Sequence, residues 1–179
     1  CIIKMDNQLT SILWSSFLGG SKNDAIYSLA IDKQNNIYVT GGTNSNDFPI
    51  TPNAYLISYQ DSVKADAFVT KILSDGTKIL NSTYYGTNQY DQSYFVEIGG
   101  DNKVYLFGQS EAKSMDLVSN ATYYVDGANQ FIAIFSSDLD TLIRSTAIGT
   151  GKGSPDISPT AFLVDVCDKI YIAGWGSNV

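Results

Sequence analysis

The chain has 179 residues, of which 18 are acidic and 11 basic, so its formal net charge is −7. Such a surface repels phosphate backbones, which argues against a nucleic-acid-binding role. Apolar residues make up 44% of the chain, enough for the core of one domain. No apolar run approaches the ~18 residues of a membrane-spanning helix, so membrane insertion is not expected.

The predicted elements are short strands separated by polar turns. Residues 1–19 hold two of them, in "CIIKMDNQLTSIL" and in the "WSSFLGG" that follows. A four-strand unit comes next, with the strands "YSLAID", "NNIYVTGGTN", "AFVTKIL" and "KILNSTYYG". A second unit repeats this order from "YFVEIG" onward, and a third copy contains "AFLVDV" and "CDKIYIAGWG". Short strands at regular spacing, with no helical periodicity, predict an all-β fold.

The repeat is measured by residues that recur at one position in each copy. Tyr38, Tyr105 and Tyr171 are separated by 67 and 66 residues, and a glycine lies three positions after each of them. A second set of glycines, Gly19, Gly86 and Gly149, is separated by 67 and 63 residues. Four strands per repeat of this length predict the four-stranded antiparallel blade of a β-propeller. The recurring tyrosines and glycines are then packing residues of the second strand from the propeller axis.

The blade count divides the chain into four segments. Residues 1–19 are predicted to be the last two strands of one blade, 20–86 and 87–149 two complete blades, and 150–179 the first two strands of another. Because propellers usually have ~4–8 blades, this arrangement predicts a fragment of a larger propeller. A mature lipoprotein beginning at Cys1 is the less favoured alternative, since Cys1 aligns with a core position of a strand. Cys1 and Cys167 could pair, but the sequence carries no geometry to decide it.

The sequence of the first unit resembles the SBBP repeat, a β-propeller repeat of bacterial surface and secreted proteins. The resemblance rests on Trp14 to Tyr55, where "FLGG", "ND", "LAID", "NIYVTG", "DFP" and "TP" follow one another. The second and third copies retain the tyrosine and the glycine but less of the remaining pattern. The resemblance implies a large exported surface protein of gliding Gram-negative bacteria, with adhesion-type domains and type IX secretion.

Few residues are suited to catalysis or metal binding. The chain has no histidine and two cysteines, which removes histidine-based catalysis and the usual zinc sites. The segment "GTGKGS" lacks the spacing of a phosphate-binding loop. Asp24, Asp91 and Asp156 recur between blades and are predicted to accept turn hydrogen bonds, with a Ca²⁺ site as the alternative. Asp138 and Asp140 fall in the turn that matches Asp75. No catalytic, cofactor-binding or metal-binding residue is therefore expected.

The two long loops are the predicted recognition surface. Both follow the second strand of a unit and should lie on one face of the propeller. In the first loop Phe48, Pro49 and Tyr55 are predicted to anchor the loop on the blade. Candidate ligand-facing aromatics are Tyr59, Tyr123 and Tyr124, since aromatic rings among polar residues can stack on sugars or anchor a protein partner.

The leading functional hypothesis is a non-enzymatic scaffold for interaction or adhesion, on the cell surface or secreted, with a protein or glycan partner. The chain would be covalently continuous with further blades and other domains. A carbohydrate-binding propeller that uses the loop aromatics is the alternative. An enzyme whose catalytic residues lie on blades outside this fragment is a further one, because unrelated functions share one fold.

Overall fold

The structure, a computed structural model, describes residues 1–60 and 64–176. The strands in this part of the chain form four antiparallel sheets, connected in sequence order. Two sheets have four strands and two have two strands, which confirms the predicted all-β fold of propeller blades. The strands are β1 Ile2–Met5, β2 Ile12–Ser16, β3 Asp24–Ile31, β4 Ile37–Thr43, β5 Asp66–Ile72, β6 Ile79–Tyr85, β7 Asp91–Ile98, β8 Val104–Ser110, β9 Gln130–Phe135, β10 Leu142–Ile148, β11 Ile157–Val164 and β12 Ile170–Gly176.

Each four-stranded sheet is a meander in which neighbours in sequence are neighbours in space. The first blade has the order β3-β4-β5-β6 and the second β7-β8-β9-β10. The pair β1-β2 precedes them and the pair β11-β12 follows. A short 3-10 helix, Ser114–Leu117, lies in the loop between β8 and β9. No helix in the described part of the chain is long and apolar enough to cross a membrane.

The first strands of successive units lie side by side. Strand β7 packs against both β3 and β11. The backbone N–H of Val96 in β7 donates to the hydroxyl of Ser28 in β3 at 3.3 Å, and the rings of Tyr27 and Tyr94 lie 5.7 Å apart. These strands are therefore the innermost of each sheet, and β4, β8 and β12 are the second from the axis.

Each first strand bulges opposite the recurrent glycine of the second strand. The register shifts between Ile26 and Ser28, and again at the matching positions of β7 and β11. The bulge brings the carbonyl oxygen of Ala25 so close that a Cβ on Gly41 would lie 1.8 Å from it. The corresponding distances are 2.1 Å for Gly108 and 2.6 Å for Gly174. The recurring glycine thus makes room for the bulge of the neighbouring strand.

The main core lies between the first blade and the second. Every residue of β4 and of β5 is buried, because both faces of the sheet are covered. The ring of Tyr85 at the end of β6 meets Phe131 and Phe135 of the second blade at 4.9 and 5.5 Å. This burial on both faces explains why the strand sequences are apolar without strict alternation.

The prediction that Cys1 occupies a core position inside a strand is wrong. Strand β1 begins at Ile2, which is buried, while Cys1 is exposed and precedes the first residue pair of the sheet. The register does match Cys1 to Phe68. In the described part of the chain, however, β1 has no second neighbouring strand to cover that position. Cys167 is also exposed, and neither cysteine forms a disulfide.

Candidate functional site

The upper edge of the sheets, defined by the ends of β4, β8 and β12 and the starts of β3, β7 and β11, carries the long loops. Residues 44–65 connect β4 to β5 and residues 111–129 connect β8 to β9. The connections between blades, 17–23, 86–90 and 149–156, run along the same edge. In the part of the chain that the structure describes, the long loops and connections together form an irregular surface of the kind where binding residues are usually found.

The three recurrent aspartates at the upper edge hold these connections. The carboxylates of Asp24, Asp91 and Asp156 each accept a hydrogen bond from the backbone N–H that follows the recurrent glycine. The N···O distances are 2.8 Å from Gly20 to Asp24, 2.5 Å from Thr87 to Asp91 and 2.5 Å from Thr150 to Asp156. A Cβ on the recurrent glycine would lie 2.6 Å from a carboxylate oxygen at Gly19 and 2.8 Å at Gly86. The prediction that these aspartates accept turn hydrogen bonds is confirmed.

Hydroxyl groups also donate hydrogen bonds to these carboxylates. The hydroxyls of Thr43 and Ser45 both donate to Asp24, and the hydroxyl of Thr87 donates to Asp91 at 3.0 Å. In residues 1–60 and 64–176 there is no cluster of three or more carboxylate, histidine or cysteine side chains that could hold a metal ion. The hydrogen bonds account for the structural role of these carboxylates, and the calcium alternative stays a prediction.

The aspartates of the turn between the third and fourth strands also bond locally. Asp140 accepts a hydrogen bond from the hydroxyl of Ser136 at 2.6 Å, and Asp75 accepts one from the hydroxyl of Thr77 at 2.6 Å. These hydroxyl contacts lower the pKa of both carboxyl groups. Asp138 lies 3.9 Å from the ammonium group of Lys71. The carboxylates of these turns are therefore engaged in holding the chain.

Both long loops bend outward and run along the last strand of their own blade. In the first blade the backbone N–H of Thr51 donates to the carbonyl of Ser82 in β6 at 3.1 Å. In the second blade the backbone N–H of Ser119 donates to the carbonyl of Ser145 in β10 at 3.0 Å, and the N–H of Val125 contacts β10 in the same way. The loops thus cover backbone groups that an outer edge strand would leave unpaired.

The aromatic residues assigned to the scaffold anchor the first loop. The ring of Phe48 is buried and lies 4.3 Å from the ring of Phe68. Tyr55 reaches the second blade, where its ring lies 5.6 Å from Phe135 and its backbone N–H donates to the carbonyl of Leu139. Pro49 is half-buried beside them. The loop therefore fastens one blade to the next.

The three candidate ligand-facing tyrosines lie in two places. Tyr59 is half-buried, with its ring edge-on to Tyr84 at 5.8 Å and its hydroxyl donating to the carbonyl of Lys64. Tyr123 has 65% of its surface exposed, and Tyr124 is exposed beside it. The hydroxyl of Thr146 in β10 donates to the carbonyl of Tyr123. Tyr59 is thus attached to the first blade and the other two tyrosines to the rim of the second.

A cleft at the upper edge was not predicted from the sequence. It has a volume of about 500 Å³ and lies between the second blade and the pair β11-β12. Its walls include Tyr94, Gln109, Asp156 and Trp175, and the indole of Trp175 is 77% exposed. Burial raises the pKa of the Tyr94 hydroxyl above its ordinary value. We call this surface the aromatic cleft.

The chemistry of the aromatic cleft suits a neutral polar ligand. Its lining combines aromatic rings with an amide and a hydroxyl, groups that stack on and bond to sugar rings. Among the described residues that line it, Asp156 is the one charged side chain, so an anionic ligand would be repelled. Trp175 follows the recurrent glycine of β12, where the other copies have Gly42 and Gln109. An aromatic residue at that position does not recur, so the repeat gave no signal for it.

Comparison with known proteins identifies one segment of the chain. Residues 13–49 match the model of the SBBP family, described as a beta-propeller repeat. The matched segment runs from β2 through β3 and β4 into the first long loop, and it includes Gly19, Asp24 and Gly41. No curated protein gives a significant match to the chain.

Proposed function

We propose that the chain is a non-enzymatic β-propeller scaffold that presents a binding surface at its upper edge, as part of an exported or cell-surface protein with an interaction or adhesion role. The observation that carries the proposal is that the carboxylates and the aromatic side chains of the upper edge have different roles. The recurrent carboxylates hold turns, while large aromatic side chains remain exposed at the cleft and at the rim. Aromatic residues are frequent anchors of binding surfaces.

The location is tested on intact cells of the source organism with an antibody against the chain. Labelling of intact cells, or recovery of the chain from the culture medium, supports an exported protein. Labelling only after permeabilisation contradicts it. A separate assay incubates the purified chain with polysaccharide and peptide substrates, and turnover that survives further purification would contradict the non-enzymatic role.

A second candidate function, carbohydrate binding, is favoured by the composition of the aromatic cleft. Tyr94 and Trp175 supply aromatic faces, and Gln109 supplies an amide, in a cavity open to solvent. We expect neutral glycans to bind rather than sulfated or phosphorylated ones, because the net charge of −7 opposes anions. Because two aromatic side chains and one amide supply these contacts, affinity for a single sugar should be modest.

A glycan array distinguishes the cleft from the rim. Wild type, Trp175→Ala and the double variant Tyr123→Ala/Tyr124→Ala are compared on the same array. Loss of binding in Trp175→Ala alone assigns the glycan to the cleft, and loss in the tyrosine variant alone assigns it to the rim. Phe17→Ala removes an exposed ring away from both places and serves as the control. An array with no glycan bound by wild type rejects carbohydrate binding.

A further inference from the structure

A buried lysine lies at the junction of the two complete blades, at the end of β5 opposite to the upper edge. The side chain of Lys71 is 11% exposed, and its ammonium group lies 3.9 Å from a carboxylate oxygen of Asp32 and 3.9 Å from one of Asp138. The same group lies 5.3 Å from the centre of the Tyr38 ring. Burying a charge is costly unless partners compensate for it, so the partners of this ammonium group decide what it contributes.

Lys71 and Tyr38 both donate to one carbonyl group of the next blade. The carbonyl oxygen of Ser137 accepts the hydroxyl of Tyr38 at 3.0 Å and the ammonium group of Lys71 at 3.4 Å. Ser137 belongs to residues 136–141, the turn between β9 and β10 of the second blade. The first blade therefore holds a turn of the second blade through a charged donor and a neutral one.

The conformation of this turn is set by local bonds. The backbone N–H of Leu139 donates to the carbonyl of Ser136 at 3.1 Å, and the φ of Leu139 is 56°. The equivalent turn of the first blade has the same bond, from the N–H of Gly76 to the carbonyl of Leu73 at 2.8 Å, with a φ of 75° at Gly76. What Lys71 and Tyr38 add at Ser137 is therefore the position of the turn against the first blade.

The same turn holds the first long loop. The carbonyl oxygen of Leu139 accepts the backbone N–H of Tyr55 at 3.0 Å. On either side of Tyr55 the loop is bonded to its own blade, since the backbone N–H groups of Thr51 and Leu56 donate to residues of β6 at 3.1 and 2.9 Å. A displacement of the turn should therefore disturb the loop at Tyr55 and leave its attachment to β6 in place.

The lysine does not recur in the second blade. Tyr38 of β4 pairs with Lys71 of β5, whereas Tyr105 of β8 pairs with Ile134 of β9. The tyrosine is common to both blades, and an apolar residue replaces the lysine in the second. A complete blade therefore forms without a lysine at this position, which favours a role specific to the first junction.

The carboxylates around Lys71 do not depend on it. Asp32 accepts the backbone N–H groups of Gln34 and Asn36 at 2.9 and 2.8 Å and the side-chain amide of Asn36 at 2.9 Å. The side chain of Asp138 is 69% exposed to solvent. Lys71→Met keeps an unbranched apolar chain beside Tyr38 and removes the charge and the donors. The first blade should therefore stay folded in this variant.

We propose that Lys71 is a positioning residue for the first long loop. It holds the turn 136–141 against the first blade at Ser137, and the turn holds the loop at Tyr55. A charge at the far end of β5 thereby sets the path of a loop that begins at the upper edge. That this path matters for binding rests on the proposed function, whereas the positioning itself does not.

Amide hydrogen exchange at Tyr55, measured by NMR, tests the positioning without any ligand, so its result is independent of what the chain binds. In Lys71→Met the exchange rate of the Tyr55 amide should rise by about tenfold or more, and that of the Thr51 amide should change by about twofold or less. Lys71→Arg keeps a charged donor and should retain the wild-type rate at Tyr55. Lys78→Met makes the same change at an exposed lysine of the first blade and is the matched control.

Tyr38→Phe tests the same carbonyl contact from the other donor. It removes the hydroxyl that donates to Ser137 and should raise the exchange rate of the Tyr55 amide by about threefold. If Lys71→Met does not fold, this variant decides alone. An unchanged rate at Tyr55 overturns the proposal. Equal increases at Tyr55 and at a strand amide such as that of Val69 also overturn it, because Lys71 would then stabilise the whole blade.

Discussion

Strands β4 and β12 carry the same motif but occupy opposite environments. Every residue of β4 is buried between β3 and β5, whereas most of β12 is exposed because it pairs with β11 alone. The aromatic residue and glycine of the motif are present in both strands. The comparison shows that the motif encodes a strand and its bulge, while the energetic contribution of each side chain depends on what covers it.

Substitution of the motif tyrosine is expected to give the largest difference in unfolding free energy between the two strands. Tyr38→Ala removes a fully buried ring whose hydroxyl donates to the carbonyl of Ser137, and it should lower the free energy of unfolding by about 4 kcal/mol. The same change at the half-exposed Tyr171 should cost about 1 kcal/mol or less. Urea unfolding of both variants measures the difference. Equal losses would contradict the environments described for the two strands.

Substitution of the motif glycine by valine should give the next largest difference in stability between the two strands. A valine at position 41 would force its Cβ against the carbonyl of Ala25, which lies 1.8 Å from the Cβ position, at a cost of about 3 kcal/mol. At Gly174 the corresponding separation is 2.6 Å and the strand has a free side on which to relax. Gly174→Val should therefore cost about 1 kcal/mol. Thermal unfolding followed by circular dichroism checks the order, and a larger loss at Gly174 would argue against a shared bulge.

The aspartates of the upper edge allow the same comparison of a buried and an exposed position in the connections between blades. Asp91→Ala removes the acceptor of the Thr87 backbone N–H inside the buried junction of the two blades, and should cost about 2 kcal/mol. Asp156→Ala removes the equivalent acceptor at the exposed junction with β11 and should cost about half as much. Chemical denaturation provides the measurement. Asp116→Ala, a change of an exposed aspartate in the second long loop, serves as the control for the lost charge.

The smallest effect concerns acid pH and the exposed turns. Hydrogen bonds from backbone N–H groups lower the pKa of Asp165, and hydroxyl contacts lower that of Asp140. Because the folded-state pKa lies below the unfolded value of about 3.9, the stabilisation is present above that pH and is lost as the pH falls through the folded pKa. Unfolding midpoints at pH 7 and pH 3 should therefore differ less in Asp165→Asn than in wild type. If this pH-dependent difference is the same in Asp165→Asn as in wild type, Asp165 does not contribute to the loss of stability in acid.

The fold was accessible from the sequence because its signals are local and repeated three times. The spacing of Tyr38, Tyr105 and Tyr171 measures one unit, and polar turns separate the strands in each. The turn role of Asp24 followed from its recurrence in each connection between blades, since a short acceptor side chain that bonds the N–H groups of a turn is a local device. Recurrence could not show that Cys1 lies outside its strand, because alignment does not reveal which neighbours are present.

The candidate site was less accessible because its residues do not recur. Trp175 occupies a position held by Gly42 and Gln109 in the other copies. The repeat therefore predicts a strand residue at this position and does not indicate that it lines a cleft. The outward path of the long loops was also unexpected, because it depends on hydrogen bonds to β6 and β10 that no local pattern encodes. The ligand-facing role of Tyr59, Tyr123 and Tyr124 stays a prediction.

By itself, the sequence determined the strands, the four-strand unit and the turns, since these depend on backbone preferences and on hydrogen bonds between near neighbours. Only the tertiary structure decided which copies of a residue are buried, where the loops run and which side chains meet at the aromatic cleft. Those features depend on contacts between blades. A residue such as Tyr171 has a local sequence similar to that of Tyr38, but what packs against it is decided by strands far along the chain.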